Sequence, residues 1–154
     1  MSTCVLPAGL PVPVPGRDGL ERPYWEGTLA HELRVQRCTD CGTWRWGPEW
    51  ICWKCRSFAT DWVAVEPVGH VFSWERAWHP VTKVLADAMP YVVVLVELRH
   101  AGGVRMVGNL VGDIAKTSDK IEIGAPLRAV FEDHAASDKT PAYTLVHWTL
   151  ADRR

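Results

Sequence analysis

Two Cys-x2-Cys pairs, Cys38-Thr-Asp-Cys41 and Cys52-Trp-Lys-Cys55, stand ten residues apart, and no other feature of the sequence restricts the fold so tightly. A Cys-x2-Cys turn presents two thiolates to one ion. Two such turns complete a closed tetrahedral shell with Zn–S near ~2.3 Å and leave no open coordination position. An ion held this way is structural, because its binding free energy becomes folding free energy for the surrounding peptide. Gly42 suits the backbone bend that closes the first turn, whereas Arg56 stands where a second glycine is expected.

The compartment supports metal rather than disulfides. The opening MSTCVLPAGLPVPVPG has no basic residue before Arg17 and is broken by Pro7, Pro11, Pro13 and Pro15, so it does not read as a secretory signal. The chain is therefore expected in the cytoplasm, where clustered thiols bind metal. Cys4 is left over as an inert thiol, since no charged residue lies near it in sequence. Two alternatives to zinc stay open on the ligand set alone. Iron in a rubredoxin-like site would imply electron transfer, and four cysteines can also sit in a core by chance. No second redox centre or flavin motif accompanies the pattern, so zinc is expected.

The 154 residues are 47% apolar and carry 17 Lys plus Arg against 18 Asp plus Glu, a net charge of −1. That excludes a disordered tail. It also excludes a surface dominated by phosphate neutralisation, which needs a basic excess. The longest apolar run, Tyr91 to Val96, ends at Glu97 and is far short of the ~20 residues of a membrane helix.

Along the chain, residues 1–22 form a Pro-rich arm, 23–60 a helix and ribbon, and 61–154 a β-rich domain. Pro23 suits a first helical turn, and Trp25, Leu29 and Leu33 recur at helical spacing, weakened by Gly27. Leu33, Val35 and Arg37 then alternate as a strand leading into the first cysteine pair. After Cys55, short β-type runs begin at Trp62, His70, Tyr91, Val104, Leu127 and Tyr143, the texture of a small barrel or sandwich. In the Tyr91 run both alternating sets are apolar, so both faces are expected to be covered. Ala101-Gly102-Gly103 reads as a hairpin loop.

Between Arg34 and Arg56 lie five basic residues and two acidic ones, together with Trp44, Trp46, Trp50 and Trp53 out of nine tryptophans in the chain. Arg37, Arg45, Lys54 and Arg56 with these rings form the expected anion-facing or interface surface, suited to the phosphates and adenine of CoA or to a buried protein contact. Nucleic acid also uses aromatic and basic groups. The acidic composition after Ser57 makes a poor groove for it. No nucleophile elbow, phosphate-binding glycine loop or zinc-protease helix occurs. The one histidine picked out as a substrate-side candidate is His79, beside Trp78 and Pro80.

Taken in order, Tyr24-Trp25-Glu26-Gly27, Leu33 to Gly42, Pro48, Cys52 to Cys55, Gly69-His70-Val71-Phe72-Ser73, Pro90 to Val93, Val96-Glu97-Leu98, Gly108 to Gly112 and Ile123 to Leu127 resemble the acyl-CoA-associated family called domain of unknown function 35. The resemblance implies a mainly β protein with an N-terminal helical segment, a rubredoxin-like zinc ribbon and a C-terminal five-stranded oligonucleotide/oligosaccharide-binding (OB) barrel. It further implies a non-catalytic subunit that docks on a thiolase-like enzyme, of thiolase or steroid side-chain retro-aldolase type, and helps to position acyl-CoA in a degradation pathway. The reactive groups would belong to that partner.

Overall fold

The computed structural model describes Val5 and residues 7–13 and 18–151. Cys4 lies outside the described residues. Helix α1 (Arg22–Leu29) carries Pro23 in its first turn, as the sequence predicts, and ends at Leu29. Leu33 opens strand β1 (Leu33–Cys38) instead of continuing the helical stripe. The chain turns between them at His31, whose φ is 57°. Gly27 permits a close approach rather than merely weakening the helix: a Cβ there would stand 2.8 Å from Cγ of Arg34.

Strand β1 is the centre of a three-stranded antiparallel sheet, flanked by β2 (Trp44–Arg45) and β3 (Thr60–Val65). β3 runs in register with β1 from Leu33↔Val65 to Cys38↔Thr60. The boundary expected between residues 60 and 61 thus falls at the start of β3, whose pairing is with the ribbon.

The remaining strands are β4 (Val68–Ala77), β5 (Tyr91–Leu98), β6 (Val104–Leu110), β7 (Pro126–His134) and β8 (Tyr143–Leu150). They close a five-stranded barrel in the order β4-β5-β6-β8-β7, which is the OB architecture that the resemblance implies. β4 pairs through Val68–His70 with β7 on one edge and through His70–Ala77 with β5 on the other, and its register against β5 shifts by one residue between Val71 and Ser73. Such an extra residue bends a strand and sharpens its twist, which a small barrel needs in order to close. The seam between β6 and β8 is parallel and short, a bridge at Leu110↔Trp148 joined by the Val111 amide donating to the Trp148 carbonyl at 2.7 Å.

The barrel is filled from one face of β5, where Val92, Val94, Val96 and Leu98 are fully buried, and from β8 by Trp148. Leu33 and Val35 of β1 belong to the same core, so the ribbon sheet caps the barrel rather than standing apart from it. The outer face of β5 is only half covered, and its cover comes from the chain itself. A 3-10 helix (Lys83–Ala88) places buried Leu85 against the start of the strand, and Val5 and Leu10 of the arm lie beside Tyr91 and Val93. Among the described residues, no helix is long and apolar enough to cross a membrane.

Candidate functional site

Each cysteine pair sits on the same backbone device. In the first, the Gly42 amide donates to the Cys38 carbonyl at 2.9 Å and the Cys38 amide to the Thr43 carbonyl at 2.9 Å. In the second, Arg56 donates to Cys52 at 2.8 Å and Cys52 to Ser57 at 2.9 Å. Both turns end in a left-handed residue, Gly42 at φ 72° and Arg56 at φ 62°. Arg56 therefore occupies the conformation that glycine adopts at no cost, while a Cβ there costs about 1–2 kcal/mol. Arg56→Gly is expected to stabilise the chain by about 0.5–1 kcal/mol once the larger chain entropy of glycine is subtracted. Urea denaturation checks this, and a loss of stability would contradict it.

The two turns bring all four sulfurs within 4.8 Å of one another. Sγ of Cys38 lies 3.6 Å from Sγ of Cys55, and Sγ of Cys41 lies 3.6 Å from Sγ of Cys52. These separations are far beyond a sulfur–sulfur bond of ~2.05 Å. They are close to the ~3.8 Å edge of a tetrahedron built on Zn–S bonds of ~2.3 Å. The charges call for a cation as well. The Thr43 hydroxyl, 3.1 Å away, and the Thr43 amide hold the Cys41 thiol down to about 6. Cys55 is pushed up to about 12: the Ser57 amide favours its thiolate, but neighbouring Cys41, burial and the Cys38 and Cys52 sulfurs outweigh that donor. Four thiolates share so small a volume only around a divalent ion, and the donor set fits zinc.

The aromatic and basic residues expected around the metal divide into two groups. Arg45 is buried, its guanidinium donating to the Glu49 carbonyl at 3.2 Å and to the Thr60 hydroxyl. Trp46 packs edge-on to Tyr24 at 5.0 Å. Trp44 lies under the Arg37 guanidinium at 5.1 Å and against the β5–β6 hairpin, where a Cβ on Gly102 would come within 2.6 Å of the indole. Arg45 and Trp46 thus tie the helix and ribbon together, and Trp44 joins the ribbon to the barrel. Trp50, Trp53, Lys54 and Arg56 remain on the surface with Ile51 and Phe58, and Trp53 and Phe58 are each 72% exposed. His79 is exposed just past the end of β4 and has no hydrogen bond among the described residues.

A second cluster was not legible in the linear sequence. Glu132 of β7 is 5% exposed, with Oε1 2.8 Å from Nε2 of His134 and Oε2 3.3 Å from Nε2 of buried His147 on β8. Val5 of the arm donates its amide to Oε2 of the same carboxylate at 2.6 Å. Beside it, Asp133 receives the Thr144 hydroxyl at 2.7 Å and lies 2.9 Å from Nε2 of His31, which holds its carboxyl below the usual range. Only the i, i+2 spacing of Glu132 and His134 hints at a shared face; pairing of β7 with β8 supplies the rest.

Burial pushes His147 below its ordinary 6.5, against the pull of Glu132 and with a smaller push from His134. Because the folded ring ionises at lower pH than the unfolded one, the unfolded chain binds more protons. Stability is then present above about pH 6.5 and lost as pH falls through the folded value. His147→Gln is expected to flatten this loss as pH falls below about 6.5 in pH-dependent urea unfolding; an unchanged slope would assign the loss elsewhere.

Comparison with known proteins fits this architecture. The model described as "ChsH2, rubredoxin-like zinc ribbon domain" matches residues 25–61, and "ChsH2, C-terminal OB-fold domain" matches residues 62–132. The chain belongs to the ChsH2 family. It is 35% identical over 153 residues to the 3-oxo-4,17-pregnadiene-20-carboxyl-CoA hydratase alpha subunit of Mycobacterium tuberculosis (strain ATCC 25618 / H37Rv), covering 92% of this chain and 45% of that protein. The chain thus spans less than half the length of this curated relative. Among solved structures, the "Ltp2-ChsH2(DUF35) aldolase" aligns with a TM-score of 0.70 and 35% identity, covering 90% of this chain and 98% of that one. A DUF35-family protein from Sulfolobus solfataricus shares the fold at a TM-score of 0.53 and 15% identity, with 84% of each chain covered.

These relatives bear out the family resemblance and the zinc ribbon. They overturn the expectation of a non-catalytic chain, since one relative is named as a hydratase subunit and the other as an aldolase. The expectation rested on a search for linear motifs. A search of that kind registers neither groups that strand pairing assembles, such as Glu132, His134 and His147, nor sites completed between subunits.

Proposed function

We propose that this chain is a subunit of a heteromeric acyl-CoA lyase of the aldolase type, docked on a thiolase-like subunit and helping to hold the CoA ester at their shared boundary. The observation that carries this reading is the near-complete coverage of the ChsH2(DUF35) chain of a solved aldolase, ribbon and barrel together. The surface supports it. Trp50, Ile51, Trp53 and Phe58 expose apolar area that an isolated domain of this size leaves to solvent only at a cost, and aromatic anchors of this kind dominate interface energetics. Exposed Arg37, Lys54 and Arg56 border the same ribbon and offer cations to the phosphates of CoA. Four reduced thiols fit the cytoplasm, where such pathways operate.

The test is co-expression with a thiolase-like subunit, followed by retro-aldol assays on branched hydroxyacyl-CoA esters. Co-elution and cleavage by the pair are expected. Trp53→Ala should weaken association by about 2 kcal/mol, roughly thirtyfold. Replacing Arg37, Lys54 and Arg56 together by glutamine should raise the KM for acyl-CoA while the pair still forms. A pair that does not associate, or one whose KM ignores the triple substitution, would overturn the respective half.

A further inference from the structure

In the ribbon sheet, β3 pairs with β1 on one side and has no strand on the other. The ladder fixes which of its backbone groups face outward. The Thr39 amide donates to the Ala59 carbonyl at 3.2 Å, so residues 59, 61, 63 and 65 turn their amides and carbonyls towards β1, and 60, 62 and 64 turn theirs away. The Cys38 amide, opposite Thr60, accordingly bonds across to Thr43 rather than to β3. Of the outward amides, that of Trp62 is covered by the side chain beside it, Oδ1 of Asp61 at 2.8 Å. Those of Thr60 and Ala64, and the carbonyls of all three residues, make no hydrogen bond among the described residues. A free edge of this kind is a template for a further strand.

The two faces beside that edge differ in chemistry. On the face of Thr60 and Trp62 lies a groove of about 250 Å³ walled by Pro23, Trp50, Phe58 and Trp62. On the face of Asp61 and Val63 lies one of about 260 Å³, which also holds Arg37, the register partner of Asp61. Side chains of an added strand alternate between these faces. One opposite Trp62 enters the aromatic groove. One opposite Asp61 enters the other and extends the cross-strand row that Arg37 and Asp61 begin, where a cation meets the Asp61 carboxylate. That carboxylate then leaves the Trp62 amide, which is free to donate to the incoming carbonyl. The strand itself, Thr-Asp-Trp-Val-Ala-Val, contains no cation, so a second copy paired edge to edge offers Asp61 no counter-charge.

We propose that the free edge of β3 takes up an extended segment of another protein by strand addition, with an aromatic residue of that segment opposite Trp62 and a lysine or arginine opposite Asp61. Asp61 guards the edge in the free chain and becomes the counter-ion of the bound segment. The proposal deepens the docking reading and rests on it for the role of this face, since Trp50 and Phe58 belong to both; it adds the form of what docks.

The test uses the full zinc-loaded chain, isotope-labelled and alone, titrated in NMR with the acetylated and amidated heptapeptide Ser-Thr-Val-Phe-Lys-Val-Ser. Saturating shifts centred on Thr60, Trp62 and Ala64 and slowed exchange of the Thr60 and Ala64 amides are expected, with a Kd of ~0.1–1 mM for so short a segment. Replacing the peptide's lysine by glutamate should weaken binding about fivefold. Ala64→Pro should abolish it, because proline is tolerated where a strand's amide faces solvent but blocks a new ladder. Should that variant fail to fold, the peptide N-methylated at its phenylalanine makes the same test on the wild-type chain. Undiminished binding in either case, scattered or non-saturating shifts, or equal affinity for the glutamate peptide would overturn the proposal. So would slow exchange of the Ala64 amide in the free chain, which would give the edge to a segment of the chain itself, or dimerisation abolished by Ala64→Pro, which would give it to a second copy. Co-elution with a thiolase-like subunit depends on none of these results, so the two readings fail separately.

Discussion

Cys52→Ser is expected to remove the metal and unfold the turns between residues 38 and 59, with loss of the bound zinc as the direct readout. The effect is large because structural zinc contributes ~10–16 kcal/mol of apparent binding free energy in peptides of this kind. A whole domain has only about 5–15 kcal/mol of net stability. Without the ion, the four sulfurs that now lie within 4.8 Å of one another have no reason to approach. Hydrogen exchange should therefore rise first at the Cys38, Gly42, Cys52 and Arg56 amides, which close the two turns. Leu33 and Val35 share the barrel's core, so the barrel should survive with reduced stability rather than untouched. A chelator should reproduce the result in the wild type and zinc should reverse it. Full metal content in Cys52→Ser would refute the ligand assignment.

Trp148→Ala is expected to cost about 3–5 kcal/mol, the range for removing a large buried aromatic. Trp148 is 1% exposed, fills the barrel beneath the β6–β8 seam, and lies directly over Gly108. A Cβ on Gly108 would stand 2.6 Å from the indole Cδ1 and 2.8 Å from Nε1, closer than any real contact, so Gly108→Ala must displace the ring or the strand. The two substitutions should be strongly non-additive, Gly108→Ala costing much less once the indole is gone. Thermal melts of the two single variants and the double variant measure this. With about 2–4 °C lost per kcal/mol in a chain of this length, Trp148→Ala should melt at least 6 °C lower. Additive shifts would mean that the indole and Gly108 do not share space in solution.

Much of the ribbon was legible because its determinants are local. Gly42 after the first pair announces the left-handed turn, and the spacing of the cysteines fixes how two such turns face one ion. The second turn shows where local reading falters. Arg56 looked atypical, yet it adopts the same left-handed conformation as Gly42, because four sulfurs around one ion over-determine the backbone there. Leu33 fitted both the helical spacing and the alternation of a strand, and pairing with β3 gives it to the strand that the alternation predicts. The fold class came from the order of the family's blocks, whereas periodicity alone left barrel and sandwich equally open.

By itself, the sequence determined a four-thiolate metal ribbon, a family and a β-rich domain, since each is encoded in spacing along the chain. Tertiary structure decided what spacing does not carry. It turned Arg45 inward as a structural link while leaving Trp53 and Phe58 exposed, because a guanidinium finds buried acceptors only where Glu49 and Thr60 converge on it. It also gathered Glu132, His134 and His147 across two paired strands and set Val5 and Leu10 beside Tyr91 and Val93. Those contacts join residues far apart in the chain, whose proximity depends on barrel closure rather than on any local preference.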